Sequence, residues 1–285
     1  NFLIRINLLK FGNVNEAEIK EIIDIIKECY DRLSSSNKSN IVDLLVFESS
    51  LALDSFLLKE YQKLNIASSR FDDKFFAMHD AWYGIPRVFV CLERMYKLPK
   101  LVQEGGLRHE IAHTILHGSI EYYIIPMPLA LVEIMKDFGL SKGYMNNILY
   151  LISIAVKDYE VARLLINKGY IKDQLEYANH VLSVSEDEML SWNICKNNRS
   201  LLALHLISRL KDLCYSFAFI SIPSLKEKIK DSMEKSLSYI QNPYSKMLFE
   251  LVFQSLNSFS NDTISNINTL ANSVANNIFR VLFKS

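Results

Sequence analysis

The sequence predicts an α+β protein that is predominantly helical, with a small mixed sheet near its N-terminus and a helical C-terminal half. Three observations carry this. Short β-branched apolar runs alternate with helix-period segments over the first hundred residues, whereas beyond Gly105-Gly106 the apolar spacing is helical almost to the end. The 285 residues are 49% apolar and 22% charged, the balance of a folded chain rather than a disordered one. At this length roughly 70–75% of the unfolded chain's surface can be buried, so a core forms without disulfides.

The first strand is expected over Phe2 to Phe11, ended by a Gly12-Asn13 turn. A helix follows: Asn15 and Glu18 have capping-box spacing, and Ile19, Ile22, Ile23, Ile26, Tyr30 and Leu33 recur at helical intervals up to the Ser34–Asn40 loop. Ile41 to Phe47 is almost continuously apolar, as an inner strand covered on both faces should be. Leu51 to Leu64 returns to helical spacing. Trp82, Tyr83, Gly84 and Pro86 mark a turn that feeds a further strand, Arg87 to Leu92. Gly105-Gly106 reads as a flexible lead-in to the next helix. Beyond it, breaks near Pro126/Pro128, Gly139 to Gly143, Gly169, Pro223 and Pro243 divide a helical bundle. Ser185-Glu188 and Ser224-Glu227 have capping-box spacing, and Ile264 to Phe283 is amphipathic. A boundary near 180 would separate an α+β domain, 1–180, from a helical domain, 181–285.

Charge and cysteine usage narrow the functional classes. With 32 basic against 32 acidic side chains there is no global attraction to nucleic acid, and the Lys226 to Lys235 region alternates in sign like a solvated helix face. The four cysteines are scattered without a C-x-x-C pair and read as reduced core thiols. The opening residues carry charge where a leader would be unbroken, and the longest tempting apolar stretch, 144–156, falls short of the ~20 residues a bilayer needs. No membrane span and a cytoplasmic location are expected.

Three of the six histidines fall in one stretch, His109-Glu110-Ile-Ala-His113-Thr-Ile-Leu-His117. This is H-E-x-x-H on a helix. A four-residue step turns a helix by about 400°, so His109 and His113 project within ~40° of each other, one turn apart, as two imidazoles must to share one tetrahedral Zn²⁺. Glu110 lies on the adjacent face, placed to take a proton from a water that the metal acidifies. The apolar neighbours Ile111, Ala112, Ile115 and Leu116 argue against a plain surface helix. His117 stands about 12 Å along the axis from His109, which suits packing around the ligands better than joining them.

Leu116 and Ser119 occupy the places where the extended H-E-x-x-H-x-x-G-x-x-H pattern needs Gly and His, so the third ligand must come from elsewhere. Carboxylates in reach by sequence are Glu121, Glu133, Asp137, Asp158 and Glu160. On a helix from about Asn146 to Lys168, Glu160 falls with Asn146, Tyr150, Ser153 and Lys157, whereas Asp158 falls among Leu151, Ile154, Ala162 and Leu165. A carboxylate on an apolar face needs a partner, either a metal or an arginine such as Arg108 or Arg163. Asp158 therefore ranks ahead of Glu160.

The His109–His117 stretch resembles the H-E-x-x-H-x-x-L-H segment of the small gluzincins, the repressor-cleaving and stress-response metalloproteases of bacteria. The run from Asp158 to Tyr170 is similar to their E-x-x-A-[DN] helix, with Asp158 at the ligand position, Val161 for Ala and Ala162 for Asp or Asn. Taking Glu160 as ligand keeps the residue type but shifts the register, and both options stand. The resemblance spans about residues 85–170. It implies a zinc metallopeptidase with Zn²⁺ on His109, His113 and one of these carboxylates, Glu110 as general base and acid, and a peptide or protein substrate laid along Arg87 to Leu92. An oxyanion donor is available by type from His79, Tyr122, Tyr123, Tyr159 or His180, although His79 and His205 read more naturally as core histidines. The competing class is a non-catalytic zinc-binding regulatory protein that holds a protein partner with its C-terminal helices.

Overall fold

The computed structural model describes residues 4–33, 41–64 and 74–284. Phe2 and Leu3 of the expected first strand, and the Ser34–Asn40 loop, lie outside the described residues. The chain forms two compact units, each built from two segments: Asn1–Ile124 with Leu164–Tyr177, and Ile125–Arg163 with Ala178–Ser285.

The first unit opens with β1 (Arg5–Phe11), α1 (Glu16–Leu33), β2 (Ile41–Phe47) and α2 (Ser50–Lys63), followed by β3 (Ala77–Asp80), β4 (Arg87–Cys91), the single turn α3 (Leu92–Met95) and α4 (Lys100–Leu116). The strands make one mixed sheet in the order β1-β2-β4-β3, with β1, β2 and β4 parallel and β3 antiparallel to β4. β2 and β4 are interior, which explains their nearly unbroken apolar sequences. Asn15 caps α1 with Glu18: its side chain accepts from the Ala17 N–H at 2.8 Å, and Glu18 accepts from its backbone N–H at 3.2 Å.

Strand alternation decides what each sheet face carries. On one face Leu45, Phe47, Phe89 and Cys91 pack against Leu53 and Leu57 of α2, joined by the stacked rings of Phe11 and Phe47. Arg87 closes that face, donating to Asp80 at 2.7 Å and to Glu60 of α2 at 2.9 Å. On the other face lie Val88 and Val90, with Ala77 and His79 opposite them in register. Here α4 packs on β3 and β4, and α1 packs on α4.

The glycine pair is not a lead-in to α4 but part of its interior, since the helix begins at Lys100 just after Pro99. Its role is close approach. A Cβ on Gly105 would sit 2.5 Å from the Asp173 carbonyl oxygen, and one on Gly106 would sit 2.7 Å from the Phe76 ring. Gln174 donates to the Gly105 carbonyl at 3.0 Å, and Arg108 pairs with Asp173 at 3.0 Å, which locks this contact.

The second unit is all helical among its described residues. It holds α5 (Leu129–Asp137), most of α6 (Lys142–Asn167), the end of α7 (Lys172–Leu182), and then α8 (Glu186–Cys195), α9 (Arg199–Ser208), α10 (Leu210–Phe217), α11 (Lys226–Ser236), α12 (Tyr244–Leu256), α13 (Thr263–Val274) and α14 (Arg280–Lys284). The Ser185–Glu188 capping box forms, with bonds of 3.1 and 2.7 Å. The Ser224–Glu227 box does not. Residues 222–225 make a turn, Leu225 stands at the N-cap of α11, and it offers no side-chain acceptor. Arg209, almost fully buried, pairs with Glu188 and Asp212. His205 lies buried between Ser191 and Tyr239, and burial with the nearby Arg209 lowers its pKa to about 4. Among the described residues no helix is long and apolar enough to cross a membrane.

Candidate metal centre

The H-E-x-x-H segment occupies the C-terminal half of α4, where residues 109 to 115 are all buried. That helix is wrapped on nearly every side, which is why its sequence is apolar around the histidines. His109 and His113 meet edge to face, and their Nε2 atoms stand 3.1 Å apart. Two nitrogens bound at 2.0–2.1 Å to one tetrahedral Zn²⁺ would be about 3.3–3.4 Å apart, so the pair is already spaced for a shared ion. His109 and His113 each offer one ligand atom to such an ion, and Asp158 lies on the part of α6 that belongs to the second unit. Two imidazoles at this spacing are donors that suit zinc. The residues present fit the ion.

The remaining nitrogen of His113 is held as well. Its Nδ1 lies 3.2 Å from Nδ1 of His117, the buried residue that caps α4. A hydrogen bond to the non-ligating nitrogen is how such rings are usually oriented. One position further along, Thr114 bonds the Tyr30 hydroxyl of α1 at 2.9 Å. Burial pushes that phenol up to about 12, so it stays protonated at neutral pH.

Glu110 is buried beside the pair. One of its oxygens lies 2.6 Å from His79 Nδ1, and the other lies 4.0 Å from His109 Nε2. His79 also stacks flat on His113, with centroids 3.9 Å apart and planes at 9°. Sequence reasoning named this residue only as an oxyanion donor by type that reads more naturally as a core histidine, and missed its contact with Glu110. His79 is the third residue of the four-residue strand β3, and only the register with β4 shows that it faces α4.

The other carboxylates expected by sequence have different employment. Glu160 is buried, accepting from Thr263 Oγ1 at 2.8 Å and from Asn266 Nδ2 at 2.7 Å within the second unit. The helical wheel grouped it with Asn146, Tyr150, Ser153 and Lys157; of that group Ser153, Lys157 and Glu160 are buried, and Asp158 is half-buried. Burial lowers the Lys157 pKa to about 8. Glu133 and Asp137 pair with Arg280, at 3.8 and 3.1 Å. Of the arginines considered as partners for Asp158, Arg108 pairs with Asp173, Glu104 and Glu28, and Arg163 bonds Asn261. Tyr122 rests on His117, Tyr123 packs on Trp82, and Tyr159 packs between Phe217 and Phe259.

Comparison with family models, curated proteins and solved structures yields no match to this chain.

Proposed function

We propose that the chain is a zinc-dependent metallopeptidase, with His109, His113 and Asp158 as the metal ligands and Glu110 as general base and then acid. The observation that carries this reading is the convergence of two imidazole Nε2 atoms at 3.1 Å beside a buried glutamate. Asp158 is preferred to Glu160 because Glu160 is committed to Thr263 and Asn266. When bound, Zn²⁺ supplies Lewis acidity, lowering the pKa of a water and polarising a carbonyl. Glu110 takes the proton of the attacking water as its oxygen bonds the carbonyl carbon, then delivers it to the nitrogen that leaves as the C–N bond breaks. The surrounding burial keeps bulk water from competing for these groups.

The substrate's seat differs from the sequence expectation. β4, which contains most of Arg87 to Leu92, pairs with β2 on one side and β3 on the other and cannot accept a further strand. The outer strand on that side is β3, and an extended peptide would add there. The free thiols of Cys29, Cys91, Cys195 and Cys214 suit a reducing, cytoplasmic setting.

Replacing Glu110 with Gln tests the assignment. The variant should keep its zinc and lose hydrolysis of a quenched fluorescent peptide library by at least about a hundredfold. Hydrolysis at the parent's rate would refute the role of Glu110. One observation favours a second reading, a zinc-holding protein that binds a partner through its C-terminal helices: Leu190 and Ile194, one turn apart on α8, are 59% and 63% exposed. Zinc binding without hydrolysis in the parent would favour that reading.

A further inference from the structure

We propose that His79 is a positioning residue that turns one oxygen of Glu110 toward the metal-binding nitrogens. The proposal rests on the metallopeptidase reading above. An ionised carboxylate can only accept, so the 2.6 Å contact requires His79 Nδ1–H to donate to Glu110 Oε2. With Oε2 held, the terminal torsion of Glu110 is no longer free, and Oε1 is the oxygen left on the His109 side, 4.0 Å from Nε2. Without that bond the carboxylate rotates between near-equivalent orientations. The same imidazole covers one face of His113 at 3.9 Å, so a single side chain braces both the proton acceptor and a ligand ring.

The backbone makes this arrangement rigid. His79 pairs in register with Val88 of the interior strand β4, and alternation sends its side chain to the face on which α4 packs. Both partners are largely shielded, with side-chain exposures of 16% and 9%. Charge-assisted hydrogen bonds of this length are strong in such surroundings. Outer partners of this kind typically change activity by 10–100-fold when removed.

The test uses His79→Phe, which keeps the stacked ring and loses the donor, and His79→Asn, whose amide nitrogen can stand close to Nδ1. In the metal-free parent, proton NMR should show a downfield imidazole N–H signal that is absent from His79→Phe and displaced in Glu110→Gln. On a peptide the parent cleaves, His79→Phe should bind one zinc, lower kcat about 10–100-fold and leave KM within about twofold. His79→Asn should recover part of kcat. Unchanged kcat in His79→Phe would overturn the proposal while leaving the metallopeptidase reading intact. Loss of kcat without any recovery in His79→Asn, or with a matching rise in KM, would also overturn it. A parent that binds zinc but cleaves nothing would remove the metallopeptidase reading and the positioning role together, even with the N–H signal present.

Discussion

Adding one methyl group at Gly105 should damage the metal helix, although alanine is the better helix former. In an unobstructed helix interior, Gly→Ala gains about 0.8–1.0 kcal/mol. At Gly105 the new Cβ would meet the Asp173 carbonyl oxygen at 2.5 Å, the Asp173 carbonyl carbon at 3.1 Å and the Tyr177 Cβ at 2.8 Å. Two of these are backbone atoms, so no rotamer change relieves the clash. The first turn of α7 must move by several tenths of an ångström, weakening the Gln174 bond to the Gly105 carbonyl and the Arg108–Asp173 pair. Overpacking of this kind costs about 1–3 kcal/mol and the weakened bonds about 1 kcal/mol more, so the net change is a loss of about 1–3 kcal/mol. Gly143, in the first turn of α6, is the control, because nothing lies within 4 Å of a Cβ there. Gly143→Ala should be neutral or gain a few tenths of a kcal/mol. Urea unfolding of the two variants beside the parent reads both numbers. Equal or greater stability of Gly105→Ala would refute the claim that this glycine exists for close packing.

Other consequences follow from single contacts. Glu160→Ala leaves the Thr263 hydroxyl and Asn266 amide without their acceptor, and should cost about 2–4 kcal/mol of stability while zinc stoichiometry stays at one. Asp158→Ala should do the reverse, losing zinc with little effect on the metal-free protein, as isothermal titration and urea melts would show. His205 has a folded pKa near 4, below the ordinary 6.5 of an unfolded histidine, so its neutral form stabilises the fold. That contribution, about 3 kcal/mol, is complete above pH 6.5 and is lost as the pH falls toward 4. A pH series of unfolding midpoints should therefore be flatter over pH 4–6.5 in His205→Gln than in the parent. Zinc at a hundred times its Kd adds about 2.7 kcal/mol to a site that exists only in the folded state. EDTA should lower the unfolding midpoint of the zinc-loaded parent and leave that of His113→Ala where it is.

What could be read from sequence was local. The i, i+4 spacing of His109 and His113 is a property of one helix, and so are the Asn15–Glu18 and Ser185–Glu188 caps and the apolar runs of β2 and β4. The remainder depended on what other elements cover. His79 lies thirty residues before the motif in a strand of four, and strand register alone brings it to Glu110. The glycine pair resembled a hinge because its neighbours Asp173 and Tyr177 are nearly seventy residues away. A helical wheel sorted Glu160 from Asp158 by the residues sharing each side, but Ser153, Lys157 and Glu160 on the polar side are covered by other elements. The Ser224 box failed because a turn ending at Leu225 displaced the helix start by one position.

The central claim is that two imidazoles on α4 jointly hold a divalent cation. Zinc content by native mass spectrometry, for the parent and for His113→Ala after dialysis against micromolar zinc, tests it directly. One zinc per parent chain and none in the variant is the predicted result. A parent that takes up no zinc, or a variant that keeps its full complement, would contradict it.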